Sequence, residues 1–149
     1  MIFEIIDNDF KFQIKPEKLL FPNSKLDWDR NWISAKIFIK TGGFIGNYIA
    51  EIMTLDFEKF KQELIKLYDN LNGSANFECL EHYLTIKIKG DGLGHFTAYC
   101  EAIDKPSDDE NKLSFSFYFD QTQIKDLVNQ LDLITKEYPI TGDFKIKNE

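Results

Sequence analysis

The period of the hydrophobic pattern changes three times along this chain, and those changes restrict its fold more than any single motif does. Up to Met53 the apolar residues come in short runs or alternate. Ile2-Phe3-Glu4-Ile5-Ile6 is closed by Asp7-Asn8-Asp9, Phe10-Lys11-Phe12-Gln13-Ile14-Lys15 alternates, and Trp32–Lys40 and Phe44–Met53 are separated by Thr41-Gly42-Gly43. Side chains on a strand alternate faces with period two, so these segments read as half-buried strands joined by turns. Tyr48, Ile49, Ile52 and Met53 are the packing residues expected on the last of them. From Leu55 the spacing becomes three and four, through Phe57, Phe60, Leu64, Leu67, Tyr68 and Leu71. That spacing predicts an amphipathic helix capped by Thr54 or Asp56, ending before Gly73, with Glu58, Lys59, Lys61, Glu63, Lys66 and Asp69 outside.

Strand character then returns over Ala75–Glu81, Tyr83–Gly90, Leu93–Ile103 and Lys112–Phe119. Asp120-Gln121-Thr122-Gln123 has the form of a capping box and opens a second helix through Ile124, Leu127, Val128, Leu131 and Ile134, which Tyr138-Pro139 ends. The expected fold is α+β: an antiparallel β-sheet of about seven to eight strands with two amphipathic helices on one face, in the order strands, helix, strands, helix. No linker divides the chain, so residues 1–149 read as one domain, with a polar tail from Thr141 to Glu149 expected to be mobile. Each half is a meander followed by a capped helix, the outline of a duplication, but no residue-level repeat accompanies it.

Charge narrows the function classes. Eighteen Lys and Arg against twenty-five Asp and Glu give a net charge of −7. Nucleic-acid binding rests on a basic footprint, so no direct nucleic-acid partner is expected; a basic protein partner suits the charge. The N-terminus has neither the basic nor the apolar region of a signal peptide, and no apolar run approaches the length of a membrane span. With two cysteines in an ordinary core, the cytoplasm is the expected location.

Three stretches invite a chemical reading. Lys89-Gly90-Asp91-Gly92-Leu93-Gly94-His95-Phe96 is glycine-rich, but a phosphate loop needs a helix N-terminus after it, and Phe96–Ala102 alternates like a strand. A hairpin turn around Asp91-Gly92 accounts for it. Cys79-x2-His82 and His95-x4-Cys100 have zinc-like spacing, yet each pair is separated by an odd number of residues, which puts the two side chains on opposite faces of a continuous strand. No metal or other cofactor is expected. Cys100 falls in register with Phe96, Ala98 and Ala102 on the packed face. The serines show no nucleophile elbow, and no two acids are singled out as an acid–base pair. No catalytic residue is expected, although a pocket around Asp91, His95 and Cys100 is the enzymatic alternative and a ligand site on an open sheet face a further one.

Two acidic stretches remain. Asp104-Lys105-Pro106-Ser107-Asp108-Asp109-Glu110 is a loop between strands, in the most acidic part of the chain. Asp27-Trp28-Asp29-Arg30-Asn31-Trp32 places two tryptophans in a short polar segment. Trp32 suits the start of a strand, while Trp28 suits either a cover for the sheet edge or an anchor for a partner. Trp28, Asp27, Asp29, Asp104, Asp108, Asp109 and Glu110 are therefore the candidate partner-binding residues.

The run Asp27-Trp28-Asp29-Arg30-Asn31-Trp32-Ile33 before a strand resembles the Asp-x-Asp-x-Asn-Trp lead-in of WapI-like immunity proteins. The helix that begins Thr54-Leu55-Asp56-Phe57 and runs to Leu71-Asn72-Gly73, the glycine hairpin before Leu113–Phe117, and the last helix from the box at Asp120–Gln123 to Tyr138-Pro139 are similar to that family too, so the likeness spans Phe10 to Pro139. The resemblance implies a non-enzymatic bacterial protein of polymorphic or contact-dependent toxin systems. Such a protein binds and neutralises the toxic C-terminal domain of an effector, often a basic nuclease, in the cytoplasm. It implies no catalytic residues and no cofactor.

Overall fold

The computed structural model describes residues 1–107, 109–144 and 146. Its order is β1 (Phe3–Asp7), β2 (Phe10–Leu19), β3 (Trp32–Thr41), β4 (Phe44–Met53), α1 (Thr54–Asn70), β5 (Asn72–Glu78), β6 (Leu84–Asp91), β7 (His95–Ile103), β8 (Lys112–Asp120) and α2 (Gln121–Glu137). This is the α+β arrangement expected, with strands, helix, strands and helix in turn. The eight strands do not form one ladder: β1-β2-β3-β4 and β5-β6-β7-β8 are separate four-stranded antiparallel meanders. Alternation reports which face a residue takes, not which strand lies beside it, so the division was invisible in the pattern. Each meander is followed by a helix of 17 residues, and the duplicated outline is real at the level of topology.

The inner faces of the two sheets pack against each other. Phe10 and Phe12 of β2 meet Phe117 and Phe115 of β8 with ring centroids 5.1 and 5.8 Å apart. Each helix lies against the first strand of the opposite or following sheet, α1 against β5 and α2 against β1. Phe60 of α1 joins the halves, 5.7 Å from Phe3 and 5.4 Å from Phe77. Fully burying each such ring is worth about 1.5–3 kcal/mol, with about 0.5–1.5 kcal/mol more for a well-placed aromatic pair. Lys61 of α1 reaches Glu58 of its own helix at 3.2 Å and, across to α2, Asp132 at 3.5 Å and the Thr135 hydroxyl at 3.1 Å. Its ammonium is thus shared across the helix contact.

The helix ends divide between expectation and correction. Asp120 caps α2 as expected: its carboxylate accepts the Thr122 N–H at 2.9 Å, and the Gln123 side chain accepts the Asp120 N–H at 3.1 Å. At α1 the Asp56 carboxylate accepts the Met53 N–H at 3.0 Å. The C-terminal stop is Leu71, in the left-handed region at φ 60°, whereas Gly73 lies in β5. The helix ends two residues earlier than glycine suggested because its last carbonyl is committed to the β6–β7 turn, where Leu71 O accepts the Gly92 N–H at 2.9 Å. Gly90 admits that approach, since a Cβ there would sit 2.4 Å from Leu71 O.

Strand limits shift modestly. β2 continues to Leu19 through a bulge between Pro16 and Lys18, and the chain turns at Cys79–Tyr83, where His82 has φ 63°. On β4 the parity corrects one packing residue: Tyr48 and Ile52 face inward and Ile49 points out with Ile45, while Met53, of the same parity as Ile49, is buried where the strand passes into α1. No helix among the described residues is long and apolar enough to cross a membrane.

Candidate partner-binding site

The lead-in to β3 is built around Asn31, which is fully buried. A single 3-10 turn over Asp29–Asn31 aims its side chain inward. Its amide donates to Asp27 O at 3.1 Å and to Thr141 O at 2.9 Å, and its carbonyl accepts the Thr141 N–H at 2.7 Å. The start of the C-terminal tail is therefore hydrogen-bonded to this lead-in at Thr141; residues 145 and 147–149 lie outside the described residues. Asp27 pairs with Arg30, whose guanidinium also donates to Ser24 O at 3.1 Å. Trp28 stands 40% exposed with its ring edge-on to Phe144 at 5.2 Å. It covers the tail with one side and meets solvent with the other. Trp32 is half-buried at the start of β3. Sequence reading missed Asn31 itself, because its partner is 110 positions away.

The acidic loop joins β7 to β8. Asp104 closes it: one carboxylate oxygen accepts the Asn111 backbone N–H at 2.8 Å, the other the Asn111 side-chain N–H at 3.0 Å. Those donors hold the Asp104 carboxyl below the usual carboxylate range. Asp109 and Glu110 are exposed farther along, and Asp108 lies outside the described residues. This loop and the Asp27–Asp29 segment sit on different connections. The loop borders a cleft against β4, lined by Phe44, Gly46, Tyr48, Asp104, Asn111 and Leu113. At its inner end the Tyr48 hydroxyl donates to Tyr83 O at 2.7 Å. Burial raises the Tyr48 pKa far above the ordinary phenol value, so the hydroxyl is a fixed donor.

The enzymatic alternative loses its geometry. Cys100 is buried with Phe96, Ala98 and Ala102 as its register required, while His95 is exposed on the other side of the sheet. Burial pushes the thiol pKa up, away from a reactive thiolate. The glycine stretch is a turn: Gly92 takes φ 83°, Asp91 accepts the N–H groups of Leu93 at 2.7 Å and His95 at 3.1 Å, and its other oxygen meets His95 Nδ1 at 2.9 Å. Cys79 is buried at the end of β5 and His82 lies in the turn beyond it. The outer face of the second sheet holds a shallow depression lined by Thr85, Lys87, Tyr99, Glu101, Ser114 and Ser116.

These observations define an α+β protein made of two meander-and-helix halves, in which Asn31, Asp91, Asp104 and Asp120 fasten loops and a helix end. The chain belongs to the immunity protein WapI-like family, whose model matches residues 1–139. The family places it among immunity proteins and implies a protein partner, a toxin. None of the curated proteins matches the chain in sequence. Among solved structures it is similar to a chain from the crystal structures of Trypanosoma bruciei MRP1/MRP2. The TM-score is 0.53 at 10% identity, covering 93% of this chain and 86% of that one. At that identity the likeness is one of fold alone.

Proposed function

We propose that this chain is the stoichiometric antidote to a toxin. It binds the toxic C-terminal domain of a cognate polymorphic effector in the bacterial cytoplasm and blocks it by occupying or distorting its active site, without turnover. The observation that carries the reading is the family match over residues 1–139. The net charge of −7 suits a basic toxin domain, nucleases being the prime case. Asp104, Asp108, Asp109 and Glu110 guide the encounter. Trp28, flanked by Asp27 and Asp29, holds the complex through the exposed half of its ring.

The test is direct. Expressed alone, the toxin domain encoded beside this chain arrests growth, and co-expression of this chain restores it. Binding kinetics then separate the roles. Reversing Asp108, Asp109 and Glu110 to Lys slows association roughly tenfold, the low end of electrostatic steering. The wild-type association rate falls with salt, because screening shortens to about 8 Å at physiological ionic strength. Trp28→Ala raises the dissociation rate instead. Absence of binding and of rescue overturns the reading. Unchanged association in the triple variant reduces the loop to a solvated turn.

A further inference from the structure

β4 is the outer strand of its sheet, hydrogen-bonded to β3 on one side, and among the described residues no strand pairs with its other side. The other outer strands are protected or polar. β1 is bordered by α2, with its Glu4 N–H donating to Gln130 at 2.8 Å, and β5 is bordered by α1. β8 turns Ser114, Ser116 and the hydroxyl-bearing Tyr118 outward between the charged ends Lys112 and Asp120. β4 instead exposes Phe44 at 67%, Ile45 at 66% and Ile49 at 60%. From Phe44 to Ala50 it carries no charge and no proline, and its pairing with β3 runs through all ten residues without a bulge. Charges, prolines and bulges are devices by which proteins blunt a free edge; on β4 the exposed Glu51 near α1 is the one charge, and the stretch from Phe44 to Ala50 has none of the three.

Gly46 lies in the middle of that edge. A glycine in a strand interior is destabilising relative to alanine, and the fold does not require one here. Gly46 is not among the residues with positive φ, and a Cβ added to it would meet nothing nearer than Ile39 Cδ1 at 3.7 Å. Glycine in a strand commonly marks the close approach of another backbone. Gly46 also lines the cleft that Asp104 and Asn111 border, with acidic Asp109 and Glu110 on the same loop.

We infer that the β4 edge is where the toxin domain docks, adding an extended segment as a fifth strand. Its apolar side chains lie on Phe44, Ile45 and Ile49, and a neighbouring Lys or Arg faces the Asp104–Glu110 loop. Main-chain pairing supplies affinity in such strand addition, and alternate side chains supply selectivity. Charge complementarity selects this occupant: the loop beside the cleft is acidic, and a second copy of this chain would bring the same acidic loop to the contact. The inference rests on the toxin-neutralising reading, and its test separates the two.

The experiment measures affinity for the purified toxin domain with the intact chain and with Ile45→Ser, Ile49→Ser, Gly46→Val and a control, Leu93→Ser, at a 79% exposed residue on the β6–β7 turn. Unfolding curves accompany each variant. The serine variants change exposed side chains, so they decide the matter even if Gly46→Val fails to fold. The expected result is a loss of at least about tenfold for each β4 variant and less than about twofold for the control, with amide exchange slowed at residues 44–49 on binding. Wild-type binding with unchanged affinity in the β4 variants overturns the docking edge and leaves neutralisation standing. Weakened binding without amide protection overturns strand addition. No binding by the intact chain removes both readings.

Discussion

Asn31 offers the sharpest test of how this fold is closed. Its side chain makes three hydrogen bonds, two of them to the backbone of Thr141. Asn31→Ala removes all three and leaves a small void in a fully buried position. At roughly 0.5–1.5 kcal/mol net per bond, partly recovered because Thr141 is only half-buried and water can reach it, the expected loss is about 2–3 kcal/mol. Asn31→Asp has the same shape and the opposite chemistry. One carboxylate oxygen still accepts the Thr141 N–H, but the other replaces a donor with an acceptor facing the carbonyls of Asp27 and Thr141. A buried, mispaired charge costs more than a missing amide, so the aspartate variant is the less stable of the two at pH 7, by about 1–2 kcal/mol. Acidification narrows the gap, because a protonated carboxyl regains one donor. Urea unfolding at pH 7 and pH 5 measures both variants, and exchange of the Thr141 amide reports the local opening. If Asn31→Ala lies within about 0.5 kcal/mol of wild type, in the range of an ordinary surface change, and the Thr141 amide exchanges no faster, the clamp contributes nothing and the reasoning fails.

Further expectations follow from individual residues. Burial pushes the Asp56 carboxyl from its ordinary 3.8 up to about 7, although the Met53 N–H bond opposes the shift. The folded state therefore keeps this proton longer than the unfolded chain, and the group's contribution declines as pH rises from about 4 to 7. Asp56→Asn keeps an acceptor for Met53, so it stabilises the fold at pH 8 by about 1–2 kcal/mol, below the ceiling of about 4 kcal/mol that three pH units allow. It also flattens the pH dependence of urea midpoints between pH 5 and 8; an unchanged slope refutes the assignment. Gly92→Val forces a β-branched residue to φ 83° and costs about 1–3 kcal/mol in thermal unfolding. Gly90→Ala drives a methyl towards Leu71 O, 2.4 Å from the ideal Cβ position, and costs at least as much; equality with wild type would show that the α1 terminus moves freely.

The sequence carried the local chemistry well and the long-range pairing poorly, for identifiable reasons. The Asp120–Gln123 box, the turn at Asp91-Gly92 and the inward register of Cys100 each depend on neighbours within a few positions, and each is found. Composition alone groups Ile49 with Tyr48, but successive residues inside a strand take opposite faces; counting by twos from buried Ile52 and Ala50 separates Ile49 from Tyr48 and places it with exposed Ile45. Leu71 as the α1 stop was illegible, because the left-handed turn there serves a bond to Gly92 across the sheet. Of the candidate site, the acids near 104–110 and the Trp28 segment were visible as composition. The free edge of β4 was not, since which strands are outer follows only from the division into two sheets.

That division bears on where recognition resides. Asp27 and Asn31, in the segment that carries the family resemblance, are spent on holding the chain together: Asp27 pairs with Arg30, and Asn31 binds the tail. Asp104 is spent likewise on closing its loop through Asn111. A residue with a structural duty cannot be exchanged to suit a new toxin without a cost in stability of the order worked out for Asn31. Residues free to specify a partner are those whose removal costs the fold little. Ile45 and Ile49 meet that condition through exposure, and Gly46 through a site that would accept a methyl without a close contact. Apart from Trp28, the residues that identify the fold lie in the connection before β3 and those freest to choose a partner lie on β4, which is the arrangement a scaffold needs if specificity is to change while the fold stays constant.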